Sequence, residues 1–366
     1  MTISDKIKKS KIFFSGGGTG GSVAPLIAVY EELKNDNDYL FYWVGTKDGV
    51  EREMLKSANI KYFSINCGKL RRYWSWQNFV DVINFMHGLL QSFFILAKER
   101  PDIIISAGSF VSVPLVWVGW FFRIPVLIHQ QDVRAGLANK LMSWSAKKVS
   151  VTFAKSLKDY GRKAVLIGNP IRKELIEVRV SKQEALAKLG LVKDKPVLLI
   201  LGGGTGSLAI NKLIESNLDN LSKFLQIIHI TGREKSIICA DKSNYHGFEF
   251  LDTFGLIKVF AAADVVVSRC GMSVLSELSF FGLPSILIPL PNSHQEVNAQ
   301  LFAENKAAIV IDQGKISDID FVKIIRDLMG NQAARQELSI NIQKIIKKGA
   351  NQELVKIIKE LINERS

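Results

Sequence analysis

Lys11–Leu33 reads KIFFSGGGTGGSVAPLIAVYEEL, and Pro196–Ile214 reads PVLLILGGGTGSLAINKLI. Each is a short apolar run, then GGGTG, then a segment with the apolar spacing of an amphipathic helix. One glycine loop between a strand and a helix is a weak signal. Two near-identical units about half a chain apart are an internal repeat, and they predict two α/β domains that each begin a sheet of their own. A length of 366 residues suits two domains of ordinary size.

The rhythm continues on both sides of the repeat. Tyr39–Val44, Asp102–Ser106, Pro125–His129 and Lys148–Val151 read as buried parallel strands in the first half. Gln226–Thr231, Asp264–Ser268, Pro284–Ile288 and Ala308–Ile311 do so in the second. Near-continuous Val/Ile/Leu runs belong to strands covered on both faces. Gly168–Arg172 (GNPIR) interrupts the pattern and marks the crossing between domains. Asn351–Glu364 reads as a helix with Leu354, Ile357, Ile358 and Leu361 on one side. Phe110–Phe122 (FVSVPLVWVGWFF) is too short to span a bilayer and is expected to be a buried helix.

Composition narrows the function classes. Hydrophobic residues make up 47% and charged residues 23%, as in a well-cored globular protein. The formal net charge of +13 favours anionic partners: nucleic acid, an anionic membrane surface or a phosphorylated substrate. No nucleic-acid motif accompanies the charge. Cys67, Cys239 and Cys270 have no metal-ligand spacing and build no disulfide framework, which fits a reducing cytoplasm. The polar, basic N-terminus lacks the apolar core of a signal peptide.

The chemistry-bearing segments sit where strands end. In the first loop, Gly18, Thr19, Gly20 and Gly21 lead into a helix whose N-terminus favours anions. A dinucleotide site would want an acid closing the second strand, but Val44-Gly45-Thr46-Lys47 has none at its tip. A tight turn without a ligand remains an alternative. The second loop, Gly204-Thr205-Gly206, lacks the Gly-Lys-Ser/Thr ending of an ATP-binding loop. SRCGMSVLSE (Ser268–Glu277) places Glu277 about two turns into a helix, where a carboxylate can accept both ribose hydroxyls; the same position also suits an exposed helix glutamate. PNSHQEVNAQ (Pro291–Gln300) is a polar loop following a strand, where α/β ligands sit.

Taken in order, GGGTGGSVAPLIAV, WVGTKDGVERE, SAGSFVSVP, IPVLIHQQDVRAGLANK, IGNPIR, LGGGTGSLAINK, DVVVSRCGMSVLSEL, GLPSILIPLP and HQEVNAQ resemble the MurG family of peptidoglycan GlcNAc transferases over nearly the whole chain. The resemblance implies a GT-B fold, two Rossmann-like domains with parallel sheets facing across a cleft. Residues 1–168 would take the acceptor and face the membrane, residues 169–345 would bind the UDP-sugar, and a helix in 346–366 would pack back on the first domain. The implied reaction is inverting transfer of GlcNAc from UDP-GlcNAc to lipid I, an undecaprenyl-diphosphate-linked acceptor, giving lipid II without a cofactor or metal.

The resemblance also assigns residues. Arg172, Gly204, Thr205 and Gly206 would hold the donor diphosphate. Met272 and Ser273 would meet uracil or phosphate, Glu277 the ribose, and Gln295 and Asn298 the sugar. Gly18–Gly21 and Gly108-Ser109-Phe110 would bind the acceptor, with Asn139 in the same cleft. The chain departs from the family pattern at Ser22 (usually His), at Gln130 in His129-Gln130-Gln131-Asp132 (usually Glu), and at Ser109-Phe110, where a second glycine and a Tyr are usual.

Ser22, His129 and Asp132 are the candidates for the base. An unperturbed serine hydroxyl is too weak alone, and His129 ends an apolar strand, as core histidines do. Lys69, Arg71 and Arg72 beside Tyr73, Trp74 and Trp76, followed by Phe79, Ile83, Met86, Leu90 and Phe93, read as a peripheral patch for the anionic inner membrane surface on the cytoplasmic side. A cell-wall synthesis complex is a further expected partner. The alternatives are transfer to another lipid acceptor, a UDP-GlcNAc 2-epimerase, and a catalytically impaired sugar-nucleotide-binding scaffold.

Overall fold

A computed structural model describes residues 9–56, 58, 60–68, 77–204, 206–235 and 243–365. The chain forms two compact units, Met1–Arg172 with Lys347–Ser366, and Lys173–Ile346.

The first unit holds seven parallel strands: β1 (Ser10–Ser15), β2 (Tyr39–Gly45), β3 (Lys61–Ser64), β4 (Ile103–Ser106), β5 (Val126–Gln130), β6 (Lys148–Val151) and β7 (Ala164–Leu166). Their spatial order is β3-β2-β1-β4-β5-β6-β7. Its helices are α1 (Ala24–Leu33), α2 (Val50–Met54), α3 (Gln77–Glu99), α4 (Ser112–Phe121) and α5 (Leu137–Ser143).

The second unit adds α6 (Lys173–Glu177), α7 (Lys182–Leu189), α8 (Leu208–Ser222), α9 (Thr253–Ala262), α10 (Met272–Phe281), α11 (His294–Glu304), α12 (Asp318–Gly330) and α13 (Gln332–Ile345). Its strands are β8 (Val197–Leu201), β9 (Gln226–Ile230), β10 (Tyr245–Phe248), β11 (Val265–Ser268), β12 (Ser285–Leu287) and β13 (Ile309–Val310). They are parallel throughout and ordered β10-β9-β8-β11-β12-β13. The final helix, α14 (Ala350–Asn363), belongs to the first unit.

In both sheets the first strand has its successors on one side and a later strand on the other. The side on which strands are added switches between β1 and β4, and again between β8 and β11. Beyond the carboxyl ends of such a pair the flanking loops diverge and leave a crevice, which is where α/β proteins place ligands. The two GGGTG loops follow β1 and β8, so the repeat in sequence puts the same loop at the same crevice of each sheet.

Burial follows from the strand composition. Ile12, Phe13, Phe14 and Trp43 on β1 and β2 are fully buried, each stabilising the fold by roughly 1.5–3 kcal/mol. One face of the first sheet packs on α1 and α14, where Leu354, Ile357, Ile358 and Leu361 recur at helical spacing. The other face packs against α3, α4 and α5. Helix starts in the second unit are set by short polar side chains. Ser181, Ser207, Asp252, Ser293 and Ser317 each accept from a backbone N–H of the first turn.

Two sequence expectations need correction. The run Phe110–Phe122 is buried up to Gly119 apart from half-buried Phe110 and Trp117, but Trp120 and Phe121 emerge at 53% and 68% exposure, where they meet the exposed rings of Trp144 and Phe93. The sheets also contain β3, β7 and β10, which the apolar pattern did not reveal. β3 and β10 are edge strands, β7 is a three-residue edge strand, and their side chains are half-buried or exposed. An edge strand needs no continuous apolar run.

Candidate active site

The loop after β1 is tied down from beneath. Trp43 Nε1 donates to the Gly16 carbonyl at 3.1 Å, and Ser22 Oγ donates to Gly17 at 3.2 Å and to Thr19 at 3.3 Å. Ser109 Oγ, from the loop after β4, also donates to Gly17 at 3.0 Å. The two loops expected to hold the acceptor are therefore joined. Gly18 and Thr19 face solvent, whereas Ser22 is buried and its hydroxyl is spent on loop carbonyls.

Under this loop lies a carboxylate that is not at the tip of β2. Glu51, on α2, is fully buried. It accepts from the N–H of Gly18 at 3.1 Å, the N–H of Thr46 at 2.7 Å and the Thr46 hydroxyl at 2.6 Å. The backbone wraps it closely: a Cβ on Gly17 would lie 2.4 Å from Glu51 Oε1. Tyr62 Oη lies 3.5 Å from the same oxygen, and burial followed by the Glu51 charge pushes the Tyr62 phenol upward. The acid sits one helix past the strand tip, so a motif that looks only at the tip cannot find it.

Beyond β4 and β5, Gly108 takes φ +89 and donates its N–H to Ser106 Oγ. Phe110 is half-buried. Asn139, on α5, bonds Gln130 at 2.7 Å, and its Oδ1 would stand 3.0 Å from a Cβ on Gly108. His129 is corrected from base candidate to core residue. It is fully buried, with Nδ1 3.0 Å from Ser150 Oγ and Nε2 2.7 Å from Asn169 Oδ1, and burial lowers its pKa to about 4. Both ring nitrogens are occupied away from solvent. Asp132 is half-buried in the turn just past β5.

In the second unit Gly204 is exposed, and Thr205 lies outside the described residues. Gly206 takes φ +74, and a Cβ there would meet the Thr231 carbonyl at 2.1 Å, so only glycine fits. The support beneath is a cation. Arg269, 6% exposed, donates Nε and Nη2 to Ser207 Oγ at 3.1 and 2.8 Å and Nη1 to the Ile288 and Pro289 carbonyls at 3.0 Å. Nη2 also reaches Gln313 at 2.6 Å. Burial lowers its pKa, and a guanidinium stays charged regardless.

Next to it α10 begins at Met272 behind an extended Gly271, so the first helical amides at Met272 and Ser273 are unspent within the helix. Glu277, two turns on, is buried rather than exposed. Gln295 Oε1 accepts from the N–H groups of Cys270 and Leu290, both at 3.1 Å, and Asn298 Nδ2 donates to the Cys270 carbonyl at 3.3 Å. These two side chains hold the turn that presents α10.

The second sheet thus gathers Gly204, Gly206, Met272, Ser273, Glu277, Gln295 and Asn298 at its carboxyl end, while Arg172 closes the first unit. Phe250, 59% exposed beyond β10 with the Arg233 guanidinium 5.1 Å over its ring, lies at the same end. Its exposure is the signal that sequence reasoning could not see. Among the described residues no His, Cys, Asp and Glu side chains cluster in a way that could hold a metal.

On the first unit, α3 turns Val80, Val82, Ile83, Met86, Leu90 and Phe94 outward, continued by Trp120, Phe121 and Trp144. Lys69, Arg71, Arg72, Tyr73, Trp74 and Trp76, and the Phe79 side chain, lie outside the described residues, as does Cys239.

The glycosyltransferase family 28 N-terminal domain matches residues 12–151, and the family's C-terminal domain matches residues 197–354. A protein of Clostridium botulinum named UDP-N-acetylglucosamine--N-acetylmuramyl-(pentapeptide) pyrophosphoryl-undecaprenol N-acetylglucosamine transferase is 38% identical over 328 residues, covering 88% of this chain and 92% of its own. The crystal structure of Acinetobacter baumannii MurG superposes with TM-score 0.75 at 22% identity, covering 96% of this chain and 99% of that one. A UDP-GlcNAc 2-epimerase from Neisseria meningitidis bound to UDP-GlcNAc also superposes, with TM-score 0.69 at 14% identity over 96% and 100% of the two chains. The structural likenesses speak for the fold, two α/β domains of GT-B type, which transferases and epimerases share.

Proposed function

The chain belongs to glycosyltransferase family 28, and on that premise we propose that it transfers N-acetylglucosamine from UDP-GlcNAc to lipid I, giving lipid II for peptidoglycan. The observation that carries this reading is the 38% identity spanning both domains of a transferase of that name. An epimerase shares the fold at only 14% identity.

The second domain takes the donor. Diphosphate charge is met by the α10 N-terminus and the Gly204 and Gly206 backbone, with buried Arg269 adding positive potential beneath, and the family resemblance assigns Arg172 to the same group. These groups can stabilise departing UDP without a metal. Glu277 binds the ribose, Gln295 and Asn298 border the sugar, and Phe250 offers a face for the base to stack on.

The first domain takes the acceptor along the joined loops at Gly18–Gly21 and Gly108–Phe110, next to Asn139. Transfer is a direct displacement at the anomeric carbon with inversion, and a base must take the acceptor hydroxyl proton. Ser22 is spent on loop carbonyls and His129 is buried, which leaves Asp132.

The enzyme works at the cytoplasmic membrane surface. By length and composition Val80–Glu99 could cross a bilayer. Yet α3 is docked along α4, with Leu96 buried and Phe85 edge-on to Trp117 at 5.5 Å. That arrangement suits a helix lying in the interface with its outward apolar face in lipid.

The test is UDP release from UDP-GlcNAc with and without a lipid I analogue. Acceptor-dependent release with recovery of the disaccharide lipid is expected. Release without any acceptor would instead favour hydrolysis or epimerase-like chemistry, and donor binding without release would leave another acceptor or a binding role, as the departures at Ser22, Gln130 and Phe110 would allow.

A further inference from the structure

At the carboxyl end of β5, Gln130 is 2% exposed and has its side-chain amide fully engaged in one orientation. Nε2 donates to the carbonyls of Asp132 at 2.7 Å and Arg134 at 3.3 Å. Oε1 accepts from Asn139 Nδ2 at 2.7 Å and Tyr160 Oη at 2.8 Å. Backbone carbonyls can only accept, so the NH2 group must face them. A flipped amide would set oxygen against oxygen.

Those partners come from three segments. Asp132 and Arg134 form the turn after β5, Asn139 lies on α5 against Gly108, and Tyr160 lies beyond β6. One neutral amide therefore fixes the turn bearing the candidate base relative to the loop that would hold the acceptor.

We infer that Gln130 is a positioning residue that works only as a neutral hydrogen-bond donor, so that a glutamate at this position would impair this enzyme. The inference rests on reading Asp132 as the base. A carboxylate at 130 could not donate to the Asp132 and Arg134 carbonyls. Burial and those carbonyls would raise its pKa, and when protonated it would regain one donated bond. The titratable or charged groups around it are Asp132, Arg134, the Tyr160 phenol and Asp159, whose charge, after burial, raises that phenol; neighbouring His129 points to Ser150 and Asn169.

The experiment compares full-length wild type, Gln130→Glu and Gln130→Met for UDP release with a lipid I analogue across pH, for donor KM, and for melting temperature across pH. Gln130→Glu should be closest to wild type at the acid end and fall behind by about 100-fold in kcat as pH rises well above about 4.3, the ordinary glutamate value. Donor KM should not move. Gln130→Met should lose activity by a factor that does not change with pH. A Gln130→Glu enzyme equal to wild type in alkali, or one whose deficit ignores pH as the Met variant's does, overturns the inference. If wild type itself shows no acceptor-dependent release, the transferase reading fails first and the positioning role falls with it. Melting then judges the amide lock alone: a Gln130→Glu deficit widening with pH upholds it, and a constant one overturns it.

Discussion

The two GGGTG loops are nearly the same string, stand at equivalent positions of two sheets, and rest on opposite charges. Beneath the first is Glu51, a buried carboxylate that already holds the Gly18 amide. Beneath the second is Arg269, a buried guanidinium spread over Ser207, the Ile288 and Pro289 carbonyls and Gln313. A glycine loop is shaped for an anion, but the buried charge decides how strongly it draws one. The first loop carries an internal anion and the second an internal cation. On the proposed reading, the second would be the stronger diphosphate cradle and the first a shaped edge for the acceptor.

Arg269→Met should break the comparison most severely. It removes a buried cation and leaves acceptors at Ser207, Ile288 and Pro289 without a donor, a loss of about 3 kcal/mol or more in stability. Melting temperature should fall, and UDP-GlcNAc affinity should fall at temperatures where the protein is still folded. Unchanged donor affinity in a folded variant would show that the charge under this loop is only structural.

Glu51→Gln sharpens the contrast from the other side. The amide keeps one oxygen but turns its NH2 toward the donor at Gly18 or those at Thr46, costing about 1–3 kcal/mol. Acceptor KM should rise while donor KM holds. If both rise together, the two loops are not the independent sites proposed. The smallest effect on chemistry is expected from Phe94→Ser with Phe121→Ser. Both side chains are exposed, so stability and turnover of a soluble acceptor should hardly change, while binding to anionic vesicles falls. Vesicle binding equal to wild type would remove this surface from the membrane reading.

How far the sequence could be read differs by region. The central strands were visible because strands covered on both faces are continuous apolar runs, as in Ile103–Ser106 and Val197–Leu201. Edge strands such as Tyr245–Phe248 were not, since half their surface need not be apolar. The placement of Met272, Ser273 and Glu277 on a helix just after a strand was legible because strand, turn and helix N-terminus are contiguous. What the sequence could not show for Ser22 and His129 is their partners, because residue type says nothing about whether a hydroxyl or imidazole is already bonded inside the fold.

By itself the sequence determined that the chain builds two parallel α/β domains, where their glycine loops fall and which family they belong to. All of these are encoded in local periodicity and contiguous motifs. Only the tertiary structure decided what lies under each loop, which side of α3 meets solvent, and what the Gln130 amide is bonded to. The partners that settle those questions are far apart in the chain: Gly18 with Glu51, Ser207 with Arg269, Gln130 with Tyr160. A hydrogen bond between distant segments leaves no period in the sequence for a reader to find.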